Sequence, residues 1–169
     1  ALLEIYRVVS LNPRVRMIYS DEDKLDRQGR RCRPYFKPQF NLELLRGNNY
    51  ICHLACYRRE ELLELGGFRL GFEGAQDHDL ALRYCERLAR DEVYRIPKVL
   101  YHWREHAGST SLGMGVKSYA LDSGVRAITS HLERVGVAGS VQPSSRGYYT
   151  VAYEAPTPSP KVTIIIPTR

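Results

Sequence analysis

Three carboxylates stand together in Tyr19-Ser20-Asp21-Glu22-Asp23, where the apolar run Val15 to Tyr19 gives out. The run alternates and carries β-branched residues, which predicts a short strand. Strand side chains repeat every two residues, so Asp21 and Asp23 are expected to point the same way from its end. Two hard oxygen donors side by side suit Mg²⁺ or Mn²⁺, with coordination positions left for substrate phosphates. The competing use is an acidic, solvated turn, because Asp-x-Asp recurs by chance in surface loops. Further along, Asp77 and Asp79 open a helical segment, and His102 and His106 lead into a loop containing Gly108-Ser109-Thr110-Ser111.

The elements that must hold these residues follow from periodicity. Ala1 to Ser10 has helical apolar spacing closed by Asn12-Pro13, and a long polar loop is expected from Ser20 to about Gln39. Asn41 is placed to cap a short helix, Leu42 to Arg46, stopped by Gly47-Asn48. Tyr50 to Tyr57 reads as a buried strand and Arg58 to Leu65 as a helix ending at Gly66-Gly67. The helix Asp77 to Arg90 gathers Leu80, Ala81, Tyr84, Cys85 and Leu88 on one face, with its acidic first turn matched to the helix dipole. Val93 to Trp103 is strand-like, and Pro97 near its middle indicates an edge strand or a bulge. Tyr119, Ala120, Ala127, Ile128, Leu132 and Val135 line one face of a long helix. Tyr148 to Tyr153 is a further strand, and Ala155 to Pro160 a Pro-rich linker.

A chain of 169 residues, 43% hydrophobic and 26% charged, is one ordinary globular domain with room for a core. No apolar run approaches the roughly 20 residues that span a bilayer, and no basic-then-apolar leader is seen. The net charge of +6 suits an anionic partner. Arg27, Arg30, Arg31, Arg33 and Lys37 crowd one segment with Tyr35, Phe36 and Phe40, which is expected to face phosphates; no nucleic-acid-binding motif accompanies it. Cys32, Cys52, Cys56 and Cys85 form no Cys-x-x-Cys pair, so zinc is not expected, and free thiols indicate a reducing compartment. An EF-hand is excluded at Asp21 because Leu25, Asp26 and Cys32 stand where a ligand, a glycine and a glutamate are needed.

Taken in order, Ser20-Asp21-Glu22-Asp23, then Gly71 to Arg83 with Gln76-Asp77-His78-Asp79-Leu80, then Tyr101-His102-Trp103-Arg104-Glu105-His106-Ala107-Gly108-Ser109 resemble the C-terminal part of a family 2 glycosyltransferase. The resemblance covers about residues 1 to 135. It implies an α/β fold of the partial GT-A type, a mixed sheet flanked by helices with the nucleoside-binding half missing. It implies an inverting, metal-dependent transfer of a hexose from a nucleotide-diphospho-sugar to a polysaccharide or glycolipid hydroxyl. Asp21, Asp23 and His106 would then hold Mn²⁺ or Mg²⁺, with His102 in reserve for the third ligand. Asp77 would be the general base, and Arg83 and Lys24 would meet the diphosphate, Arg83 having pairing with a carboxylate as its other use. Trp103 and Gln76 would meet the acceptor, core packing being the competing use for Trp103.

One departure stands beside the base: Gln76 replaces the family's Glu and removes one negative charge. A second lies at the end, where Val162-Thr-Ile-Ile-Ile-Pro-Thr168 matches the family's opening strand. Residues 136–160 are therefore expected to be an extension strand and linker, and 161–169 the first strand of a following tandem domain. That strand is expected to fill a vacant slot beside Val15 to Tyr19, within the chain or by exchange in a homodimer. The implied place is the cytoplasm, with peripheral attachment to the inner face of the membrane as an open alternative. The rival reading is a non-catalytic binding or scaffolding domain on the same fold.

Overall fold

The apolar run at Val15 seeds the central strand, and that strand runs further than its hydrophobicity indicates. In the computed structural model, which describes residues 1–104, 118–144 and 147–167, β1 spans Met17–Leu25 and is buried from Met17 through Asp23. The acidic triplet thus lies inside the strand, not at its end. A polar half-strand can extend this way because neighbours complete its ladder and supply cations for its carboxylates. One neighbour is β2 (Arg31–Tyr35), antiparallel to Glu22–Leu25, so the expected long loop is a hairpin with a short tail. Asp26 closes the hairpin: its Oδ1 accepts from the Gln28 and Arg30 amides at 2.9 Å, and Gly29 takes φ +77°.

Below β2 on the same side, β3 (Ala55–Tyr57) pairs antiparallel with Met17–Tyr19. It occupies only the end of the expected strand at Tyr50. On the other side β4 (Val93–Arg104) runs parallel to the whole of β1, with register irregularities around Asp21. As Pro97 predicts, β4 pairs with nothing else among the described residues.

Both sides of β1 are therefore taken, and the expected vacant slot does not exist. A strand has two hydrogen-bonding edges and no third. Residues 161–167 form no strand, and Ile164, Ile165 and Ile166 are 74–86% exposed.

The chain is mixed α/β, with helices on both faces of this mixed sheet. On one face α1 (Leu2–Leu11) packs Val8 against Val15, Ile18 and Ile96. On the other, α4 (Gln76–Cys85) and α5 (Ser118–Arg134) bury Ala81, Leu82, Ala127, Ile128 and Leu132 against Met17 and Tyr19. Helix α4 is shorter than its apolar spacing predicts. After Cys85 the chain turns, and a 3-10 turn at Arg90–Glu92 feeds β4. Short helices α2 (Leu42–Gly47) and α3 (Arg59–Glu64) complete the set, α2 capped by Asn41 Oδ1 accepting from the Leu44 amide at 3.0 Å. A buried His131 ties these layers together, accepting from Arg46 Nε on α2 at 3.1 Å and donating from Nδ1 to Glu86 at 2.8 Å.

A second sheet, absent from the periodicity reading in its first strand, is the hairpin β5 (Gly139–Pro143) and β6 (Tyr149–Tyr153). It packs along α5, and Tyr149 lies across Gly124 so closely that a Cβ there would stand 1.8 Å from the phenol oxygen. Alanine normally improves a helix interior by about 0.8–1.0 kcal/mol over glycine. Here it evicts a half-buried tyrosine, at a cost of roughly 1–3 kcal/mol for overpacking. Gly124→Ala is therefore expected to destabilise the protein by up to about 2 kcal/mol net. Thermal melting checks it, and a rise in Tm would refute the packing argument.

Three carboxylates sit in partly buried ion pairs. Burial works to raise Glu61, Glu86 and Asp23, but their partners prevail: Tyr84 and Arg16, His131 and Arg134, and His102 and Arg31, respectively. All three are held below their ordinary values of 4.5, 4.5 and 3.8. A depressed folded value contributes stability above the unfolded value and loses it as pH falls through the folded one. Tm is thus expected to be flat from neutral pH to about 5 and to fall below about 4. Arg134→Met should flatten that acid limb, and an unchanged limb would show that the Glu86 pair contributes nothing.

Candidate active site

The acidic triplet is divided by its own strand. Asp23 stands opposite His102 in the parallel register and Lys24 opposite Trp103. Paired residues share a face and neighbours along the strand alternate, so Asp23 with His102 points away from Lys24 with Trp103.

Each carboxylate is already met. Asp21 accepts from both Arg95 Nε and Nη2 at 3.2 and 3.0 Å on Oδ1, from Nη2 again at 2.9 Å on Oδ2, and from the Lys37 amide at 2.9 Å. Asp23 pairs with His102 Nδ1 and accepts from Arg31 Nε at 2.6 Å. Glu22 accepts from Lys37 Nζ at 3.0 Å and from the His53 amide at 3.2 Å.

Of the expected phosphate-facing segment Arg27, Arg30, Arg31 and Arg33 are exposed, and Lys37 is spent inside the fold. Lys37 is buried, and its ammonium also donates to the Ile51 and His53 carbonyls. Burial pushes the Lys37 ammonium down and Glu22 pushes back. Arg30 pairs with Asp26, and Arg31 with Asp23.

A divalent cation was expected on Asp21, Asp23 and His106. His106 lies outside the described residues. Among the described residues no three His, Cys, Asp or Glu side chains converge as such a centre requires. Asp21 and Asp23 each hold a guanidinium group, so these two carboxylates as arranged do not fit a shared cation.

The start of α4 behaves differently. Gly74 takes φ +85°, and a Cβ on it would stand 2.8 Å from Ala120 and Tyr119, so only glycine lets this turn approach α5. Gln76 is exposed at the helix start, its Oε1 accepting from the Gly74 amide at 2.8 Å. Asp79 is fully buried between Arg83 Nε at 2.8 Å and Arg69, whose guanidinium also lies 4.2 Å over the Phe72 ring. Arg83 spends its other nitrogens on the Leu65 and Gly67 carbonyls. Of its two expected uses the structure holds the carboxylate pair, with the side chain buried against these partners.

Asp77 is half-buried, and among the described residues its carboxylate accepts only from the His78 amide at 2.9 Å. Among the described residues no cation is paired with it. Together with Cys52 it lines two adjoining cavities of about 230 Å³ each. One is walled by Trp103 and Tyr149 with Asn48, Asn49 and His78 around them; the other by His53, Tyr57, Phe68 and Tyr101. His53 lies tilted by 48° against Tyr101 at 4.9 Å and meets Trp103 edge-on at 5.4 Å, and Lys24 Nζ lies 5.5 Å from the Trp103 ring. The Cys52 thiol is pushed up to about 12, by burial first and then by the negative charges of Asp77 and Glu22. It is therefore no nucleophile at neutral pH.

Of the expected residues the structure brings Asp77 and Trp103 into one cavity, keeps Lys24 against Trp103, and leaves Asp21 and Asp23 among their own partners. Sequence reasoning missed Asn48, Asn49 and Tyr149. Asn48 reads with Gly47 as a helix stop, Asn49 carries no signal of its own, and the tyrosine carries no local sign of its destination.

Over 172 residues the chain is 42% identical to an uncharacterized protein, y4gI, of Sinorhizobium fredii (strain NBRC 101917 / NGR234), a match covering all of this chain and 19% of that protein. Over 168 residues it is 42% identical to the O-antigen biosynthesis protein RfbC of Myxococcus xanthus, covering 99% of this chain and 13% of that protein. The chain spans less than a fifth of either relative's length. No family model matches it. Among the described residues no helix is long and apolar enough to cross a membrane.

Proposed function

We propose that this chain supplies the acceptor side of an enzyme that transfers a sugar to a hydroxyl group in surface-polysaccharide synthesis, with Asp77 as the general base. One observation carries the reading. Of the carboxylates singled out by the sequence, Asp77 alone has no cationic partner among the described residues, and it lines a cavity with Trp103. A base needs a free carboxylate within reach of an acceptor hydroxyl, and an aromatic face beside it suits the apolar side of a sugar ring. Similarity along 99% of this chain, over 13% of a protein named for O-antigen biosynthesis, supports the same class.

The donor in this reading is a nucleotide-diphospho-sugar, as the family 2 glycosyltransferase motifs imply. The acceptor O–H loses its proton to Asp77, the oxygen bonds to the anomeric carbon, and the bond from that carbon to the diphosphate breaks, with the nucleoside diphosphate leaving. The anomeric centre inverts because attack and departure are on opposite sides. Residues 1–135 form the acceptor side in this scheme, 136–160 an extension and linker, and 161–169 the start of a following unit. Replacing Asp77 in the intact protein and measuring transfer is the test.

A second reading, a binding domain without turnover, has its own support. Asp21 and Asp23 are both tied into ion pairs with Arg95, Arg31 and His102. The same substitution separates the two.

A further inference from the structure

The cavity beside Asp77 has a wall that nothing in its catalytic motifs anticipates. Tyr149 reaches it from β6, in the hairpin beyond α5, and faces the same space as Trp103 from β4. Its ring stands 5.9 Å from that of buried His78 and is tilted by 42°, and its hydroxyl rests against Gly124. Among the described residues that hydroxyl has no hydrogen-bond partner, although the ring is half-buried. Burial first, and the Asp77 charge second, push the phenol up, so it remains a protonated donor at any physiological pH. Half-buried phenols normally find a partner, and this residue lines the cavity without one among the described residues.

We propose that Tyr149 is the residue that reads the acceptor: a neutral hexose ring lies between Trp103 and Tyr149, with the Tyr149 hydroxyl bonded to one of its hydroxyl groups. The chemistry of the walls fits that class. Two aromatic side chains offer faces to C–H groups, the Asn48 and Asn49 amides offer donors and acceptors, and Asp77 accepts a proton. At about 230 Å³ the space is smaller than the ~300–1,000 Å³ of drug-sized ligand sites, which suits one ring rather than an oligosaccharide. The glycine at 124 is part of this device, because any side chain there would push the phenol away from its seat. The inference rests on the reading of the Asp77 cavity as an acceptor site.

Trp103 is the sole tryptophan of the chain, so its fluorescence reports this cavity directly. Titration of the chain with the methyl glycosides of glucose, galactose and mannose should give a saturable change with at least one of them. Tyr149→Phe keeps the ring and removes the hydroxyl, and should weaken that binding about 2- to 10-fold, the worth of one hydrogen bond. Tyr149→Ala should abolish it. Absence of a saturable change with every hexose, or equal affinity in both variants, overturns the proposal. Loss of transfer in the Asp77→Asn protein alongside unaltered hexose binding by Tyr149→Phe would sink this inference alone, leaving the role of Asp77 standing.

Discussion

Asp77→Asn in the intact protein is expected to lower the sugar-transfer rate by about 10²- to 10⁴-fold, the usual contribution of a positioned base. The substitution is nearly isosteric, and the asparagine carbonyl can still accept from the His78 amide that Asp77 holds at 2.9 Å. No ion pair is broken, because none is made among the described residues. Folding stability should therefore change by less than about 0.5 kcal/mol, as for substitutions away from any packed or paired feature. The combination of lost transfer and retained Tm is the signature of a base. Retained transfer would refute the assignment and favour the non-catalytic reading, whereas a large fall in Tm would show that the carboxylate serves the fold.

The neighbouring acid should behave in the opposite way. Asp79→Ala is expected to destabilise the protein by roughly 3–5 kcal/mol, because it leaves two guanidinium groups without the buried carboxylate that pairs them. Arg83 has only about 6% of its side chain exposed and cannot recover hydration by a small movement. At about 2–4 °C per kcal/mol for a protein of this size, Tm should fall by some 6–20 °C. Helix-dipole matching, the role suggested by its place in the first turn, would contribute only about 0.3–1 kcal/mol. Thermal melting of the variant decides between the two magnitudes. Arg83→Met should do less harm than Asp79→Ala, since Arg69 remains to pair Asp79.

Two carboxylates two residues apart on one helix thus have divergent fates. Their separation along α4 turns Asp79 inward, toward the Arg69 segment, and leaves Asp77 at the cavities. Helical geometry predicts that they diverge, but not which of them meets a cation. Arg69 reaches Asp79 only because the turn at Gly71 and Gly74 folds its segment back onto the helix start.

The sequence by itself determined whatever depends on near neighbours. Apolar spacing placed α1, α5 and the start of α4, Asn41 marked the capped start of α2, and Pro97 marked β4 as an edge strand. Those signals work because helix periodicity, capping and the missing proline N–H act over a few residues. Asp77 was singled out by the resemblance to family 2 glycosyltransferases and not by near-neighbour signals. The tertiary structure decided which charges meet: Asp21 finds Arg95 74 residues away and Asp23 finds His102 79 away, pairings that exist only once β4 lies parallel to β1. It decided that the acidic triplet is strand interior, since β2 and β4 supply the hydrogen bonds and cations that a polar half-strand lacks alone. It closed the slot expected beside Val15 to Tyr19 for Val162 to Ile166, because both edges of β1 are taken. And it carried Tyr149 to the Asp77 cavity, a contact made across α5 by a hairpin whose own residues encode only that they form a strand.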